Sequence, residues 1–123
     1  MKSIVTRWRR EFGTLEELAR MSEEDPALLE RSIREMLTGW HVILCRTILR
    51  YFKMVREGKP WYDLIDRFAR EILEVFGTTR GDVPIHVWEA ILNLAAMIFD
   101  IVYEECKRIF LFELSSHLAL EEE

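Results

Sequence analysis

Cysteine is scarce, and the two that occur are not paired in sequence. Cys45 and Cys106 lie far apart with no Cys-x-x-Cys spacing, so a disulfide scaffold is not indicated. Proline and glycine are also sparse, three and five in the whole chain, and most fall where helices should begin or end. No stretch alternates apolar and polar residues, and no internal repeat is found, which argues against sheets and solenoids. A basic excess is missing too. The formal net charge is −5, the wrong sign for the footprint that binds nucleic acid. The segment Met1 to Trp8 has no apolar core of the kind a secretory signal carries. The most membrane-like stretch, Val83 to Val102, is interrupted by His86, Glu89, Asn93 and Asp100. Such groups are costly at the centre of a bilayer. The stretch therefore reads as a buried helix of a cytoplasmic protein that makes no membrane contact.

What is present is a globular mix. Half the residues are apolar and 32% are charged, enough apolar surface to fold without staples. A chain of 123 residues matches one domain, spanning 1–123, and buries roughly two-thirds of its unfolded surface. The expected fold class is all-α: a helical bundle of about four to five helices, two of them long and central.

The helices are read from apolar spacing and from their stop signals. Ile4, Val5, Trp8 and Phe12 share one face of a segment from Ser3 to Phe12, with Arg7, Arg9 and Arg10 opposite and Gly13 to end it. Thr14 and Glu17 form a capping-box pair for a short helix from Leu15 to Met21. Asp25-Pro26 is a second start signal. From Pro26 to Arg56 the helical spacing persists, with Gly39 as a weak point. In its second half Val42, Cys45 and Leu49 add a further apolar line, leaving only Arg46, Arg50 and Lys53 wet. Glu57 to Pro60 is a break, and an amphipathic helix follows to Phe76, ended by Gly77. Pro84 opens the last helix, expected to reach Leu118, with or without a break. Its wet stripe is His86, Glu89, Asn93, Asp100, Glu104 and Lys107; Ile85, Trp88, Ile91, Ala95, Ile98 and Val102 lie on its dry side. Val87, Leu94 and Ile101 form a second apolar line, and Ile109-Phe110-Leu111-Phe112 is apolar in succession. A helix apolar on several sides needs cover, from its own chain or from another.

Candidate chemistry is thin. His41, His86 and His117 form no His-x-x-x-His pair, and the pairs His86/Glu89 and Glu113/His117 share only a helix face. A metal sphere needs at least three converging ligands, so no metal and no cofactor is expected. Cys45 and Cys106 border apolar faces and read as small core hydrophobes. The carboxylate pairs Asp63/Asp66 and Asp100/Glu104 sit among basic residues on wet stripes, as solvated ion pairs do. Arg7-Trp8-Arg9-Arg10 reads as a core tryptophan with a charged outer face. Arg80-Gly81-Asp82 reads as a loop and helix cap.

The leading functional expectation is a non-enzymatic interaction or regulatory domain acting as a homo-oligomer, most simply a dimer. Its interface would use Val42, Cys45, Leu49, Val87, Leu94, Ile101, Phe110 and Phe112. A second expectation is a sensor or carrier of an apolar small molecule, haem included, in a pocket around Trp40, His41 and Trp88. Trp40 late in one helix, and Val83 to His86 opening a long one, make under half the chain resemble all-helical globin-type sensor domains, some of which bind no haem. A third is a designed bundle without natural activity, since caps and periodicity agree at each boundary.

Overall fold

The helix boundaries follow from local hydrogen bonding. In α1 (Lys2–Phe12), Ile4, Val5 and Trp8 turn into the core. Gly13 then adopts φ +78°, and its N–H reaches the Arg9 carbonyl at 2.9 Å, the left-handed ending that glycine allows. Helix α2 (Leu15–Glu24) runs a turn past its expected end. Its Thr14 hydroxyl accepts the Glu17 N–H at 3.2 Å. The Glu17 carboxylate does not complete the capping box; it accepts from the Arg20 guanidinium instead, at 2.6 Å. The Thr14 N–H that the box would use donates to the Phe12 carbonyl at 2.9 Å. Asp25 serves two helices through its backbone alone: its N–H closes α2 on the Met21 carbonyl, and its carbonyl accepts from Leu28 at the start of α3 (Pro26–Leu37).

The computed structural model describes residues 2–37, 45, 46, 49, 50, 53 and 61–122. Among them are five α-helices and no strand, an all-α helical bundle. The expected helix from Pro26 to Arg56 is described to Leu37, and Cys45, Arg46, Leu49, Arg50 and Lys53 are helical. The bend at Gly39 and the break at Glu57 to Pro60 lie outside the described residues.

Helix α4 (Trp61–Val75) ends in a double bond pattern: Thr78 N–H donates to the Leu73 carbonyl and Gly77 N–H to the Glu74 carbonyl. Gly77 has φ +76°, so this is the glycine-dependent Schellman ending. Arg80 to Asp82 make one 3-10 turn. Asp82 closes this turn rather than capping the next helix: its carboxylate accepts from the Thr79 hydroxyl at 3.0 Å, and its N–H donates to the Thr79 carbonyl. The Pro84 carbonyl takes the first helical bonds, from Val87 and Trp88, and starts α5 (Ile85–Glu122). Helix α5 is unbroken and has 38 residues, about 57 Å of rise.

Helix α5 is the axis of the bundle. Helices α2, α3 and α4 all pack on it, and α1 packs on α2, α3 and α4. Its wet stripe is exposed as the spacing predicts, at His86, Glu89, Asn93, Asp100, Glu104 and Lys107. Ile91, Ala95 and Ile98 are fully buried. Ile85, expected on the dry side, is 65% exposed, because the first residue of α5 precedes the turn that its neighbours cover. Phe68 of α4 meets Phe99 of α5 edge to face, with centroids 5.1 Å apart, a favoured aromatic geometry. Over Ile85–Ile109, α5 is long and apolar enough to cross a membrane by length and composition, and half of its most apolar window is buried inside the bundle.

Candidate functional site

Two features of the α5 surface bear on function: who covers its apolar lines, and what happens past the last covered turn. Val87 and Leu94 are each 2% exposed and Ile101 is 4% exposed, all within a single copy of the chain. The expected intermolecular seam on these residues is therefore corrected. Helices α2, α3 and α4 all pack on α5, and the cover of these residues comes from the same chain. Cys45 is likewise fully buried, and Leu49 is half-buried against the same core. Val42 lies outside the described residues. Phe110 and Phe112 belong to α5, their side chains outside the described set.

Past Cys106, which is fully buried, the described apolar side chains of α5 are less covered. Ile109 is half-buried and Leu111 is 48% exposed. The boundary carries a cross-helix ion network. Arg34 of α3 donates to Glu30 on its own helix at 2.9 Å and to Glu105 on α5, and Arg108 donates to Glu105 at 2.8 Å. Hydrogen bonds from Arg108 and then the charge of Arg34 outweigh desolvation and hold the Glu105 carboxyl below its ordinary range. Two cations on one mostly buried carboxylate pin α3 to α5 at this level.

Of the expected ligand-pocket residues, Trp40 and His41 lie outside the described residues. Trp88 is buried, and its ring carries two guanidinium groups, Arg70 at 5.5 Å and Arg80 at 4.9 Å from the centroid. These cation–π contacts hold the Trp88 ring against α4 and the 3-10 turn. Arg70 is also held by Asp66 at 2.8 Å, so Asp66 is an ion-pair partner and not half of an acid–base pair with the exposed Asp63. His86 is exposed beside Glu89. Among the described residues, no three His, Cys, Asp or Glu side chains converge as a metal site.

The basic run at the N-terminus is committed to the fold. Trp8 is fully buried, Arg7 pairs with Glu11 at 2.8 Å, and Arg9 donates to the Val75 carbonyl at 2.9 Å. A cation on the last carbonyls of α4 suits the negative end of that helix. The Trp8 indole N–H finds no hydrogen-bond partner among the described residues, at a cost of about 1–3 kcal/mol.

One arrangement is invisible in the sequence. Cys45 and Cys106, far apart in sequence, are both buried in the core as free thiols. Burial, and then the Cys45 thiol, push Cys106 up to about 12. A buried thiol held this way is protonated at neutral pH, which rules out a resting thiolate nucleophile.

No family model, curated protein or solved structure matches the chain. The resemblance to globin-type sensors finds no support there.

Proposed function

We propose that the chain is a non-enzymatic helical interaction domain that works by self-association, with the contact surface on the C-terminal end of α5. The observation that carries this reading is Leu111, 48% exposed little more than a turn past the buried Cys106. Around it the sequence continues Phe110, Phe112, Leu114 and Leu118, with one acid, Glu113, among them. A helix end of that composition gains by burying itself against a copy of itself. A two-fold pairing uses the same patch twice and closes after two chains. The non-enzymatic half of the reading is supported by the perturbed carboxylates. Glu17 and Glu105 both lie below their ordinary range because arginines hydrogen-bond them, as structural ion pairs do. Catalytic pairs instead need environments that push two titratable groups apart.

The test is light scattering behind size-exclusion chromatography, run from low to high micromolar protein. The expected result is a dimer whose share rises with concentration, and a Leu111→Glu variant that stays monomeric with an unchanged circular dichroism spectrum. A wild-type chain that is monomeric throughout ends the reading.

A further inference from the structure

Charge is segregated along this chain. From Met36 to Arg56 there is no aspartate or glutamate, and the charged residues are Arg46, Arg50, Lys53 and Arg56. From Ile109 to Glu123 there is no lysine or arginine, and the charged residues are Glu113, Glu121, Glu122 and Glu123. In the rest of the chain the signs are mixed, and Arg7, Arg20, Arg34 and Arg70 find acids on their own or a neighbouring helix. Arg46, Arg50 and Lys53 are helical and exposed, and their spacing of four and three residues lines one helix face. None of the three forms an ion pair with a described carboxylate. We propose that in the self-associated form two α5 ends run antiparallel, and the acidic end of each lies on the Arg46, Arg50 and Lys53 stripe of the other copy. This rests on the self-association reading above and names the surface that receives the α5 end.

The orientation follows from charge. A parallel pairing of two α5 ends would set Glu113 and Glu121 to Glu123 of one copy beside the same residues of the other, and facing like charges are destabilising. An antiparallel pairing separates them. With the two-fold axis at Leu111, Glu121 lies ten residues past the axis and comes level with Ile101 of the other copy. Ile101 and Cys45 belong to one buried core, and Arg46 follows Cys45 directly. The pairing therefore carries the acids onto the body of the partner, where the stripe is. Within one chain the unbroken helix carries them the other way: it holds Glu121 about 22 Å along its axis from the buried Cys106. Three glutamates are also unfavourable at the negative end of a helix dipole, and cations from a partner offset that. Exposed charges of this kind fix orientation and register more than they add affinity, and salt screens them.

Two charge-reversed chains test the contact. One carries Arg46→Glu, Arg50→Glu and Lys53→Glu; the other carries Glu121→Lys, Glu122→Lys and Glu123→Lys. Circular dichroism and melting of the monomers check that both fold as the wild type does. Analytical ultracentrifugation gives the dimer Kd of each chain alone, and native mass spectrometry reads an equimolar mixture. Each variant alone should dimerise more weakly than wild type by about tenfold or more. The mixture should form a one-to-one heterodimer close to wild type in affinity, because each stripe then meets an end of opposite sign. The wild-type dimer should weaken in about 0.5 M sodium chloride. The proposal is overturned if either variant alone dimerises as wild type does, or if mixing restores nothing. A contact within one chain overturns it too and has its own signature: each monomer melts lower, and combining all six reversals in one chain restores the melting temperature while the mixture gives no heterodimer. A wild-type chain that is monomeric throughout ends the self-association reading and this inference with it. A wild-type dimer indifferent to both reversals ends this inference alone.

Discussion

Both ends of α5 carry apolar residues, and the described ones meet different degrees of cover. Between Val87 and Cys106 the apolar lines are buried by α2, α3 and α4. From Ile109 onward apolar residues still recur, yet Ile109 is only half-buried and Leu111 is about half-exposed. Helix length explains part of the contrast. Helix α4 has 15 residues against 38 in α5, so α5 outreaches it by about 35 Å. Apolar residues around a helix report that cover is needed; they do not report whose.

The contrast breaks most visibly under truncation of a buried leucine. Leu94→Ala should cost about 3 kcal/mol, the usual range for emptying a leucine site in a packed core. Leu111→Ala should change the stability of the monomer by no more than about 0.5 kcal/mol. Urea unfolding midpoints of the two variants at low concentration measure both; equal losses would erase the distinction between the two ends. A smaller effect tests the cover itself. Gly77→Ala should cost about 1 kcal/mol, because an L side chain in the left-handed region is strained. A Cβ there meets nothing within 4 Å, so the loss is one of backbone conformation and should loosen the end of α4 without disturbing the core.

An effect of similar size, which fades in acid, probes the boundary between the two ends. Glu105→Gln should cost about 1 kcal/mol at neutral pH, since its side chain is 15% exposed while its partner Arg34 is more open and partly screened. The Glu105 carboxyl is held below its ordinary range in the fold. Its contribution is therefore whole above that range and drains away as pH falls through the depressed folded value. Melting curves of wild type and Glu105→Gln should differ at pH 7 and converge only once the pH has fallen below the depressed folded value of Glu105. A gap that persists in acid would mean that the ion pair is not what fastens α3 to α5 there.

Much of this architecture is legible in the order of the amino acids. Gly13 and Gly77 end helices because each occupies a left-handed position, and the wet stripe of α5 follows from its spacing. The departures from the local patterns share a feature. Glu17 pairs with Arg20 one turn on, while the Thr14 N–H donates to the Phe12 carbonyl. Asp82 spends its carboxylate on Thr79. The Trp88 ring carries two arginines from other elements. In each case the side chain has a partner that its local pattern does not name.

By itself the sequence determined that the chain is all-helical, where most of its described helices start and stop, and which stripe of α5 meets water. Those properties depend on residues within a few positions of one another, and helical periodicity encodes them directly. Only the tertiary structure decided that Val87, Leu94 and Ile101 are covered by their own chain and that Arg34 reaches Glu105. Contacts between distant segments depend on how helices are arranged around one another, and many arrangements bury the same apolar stripes.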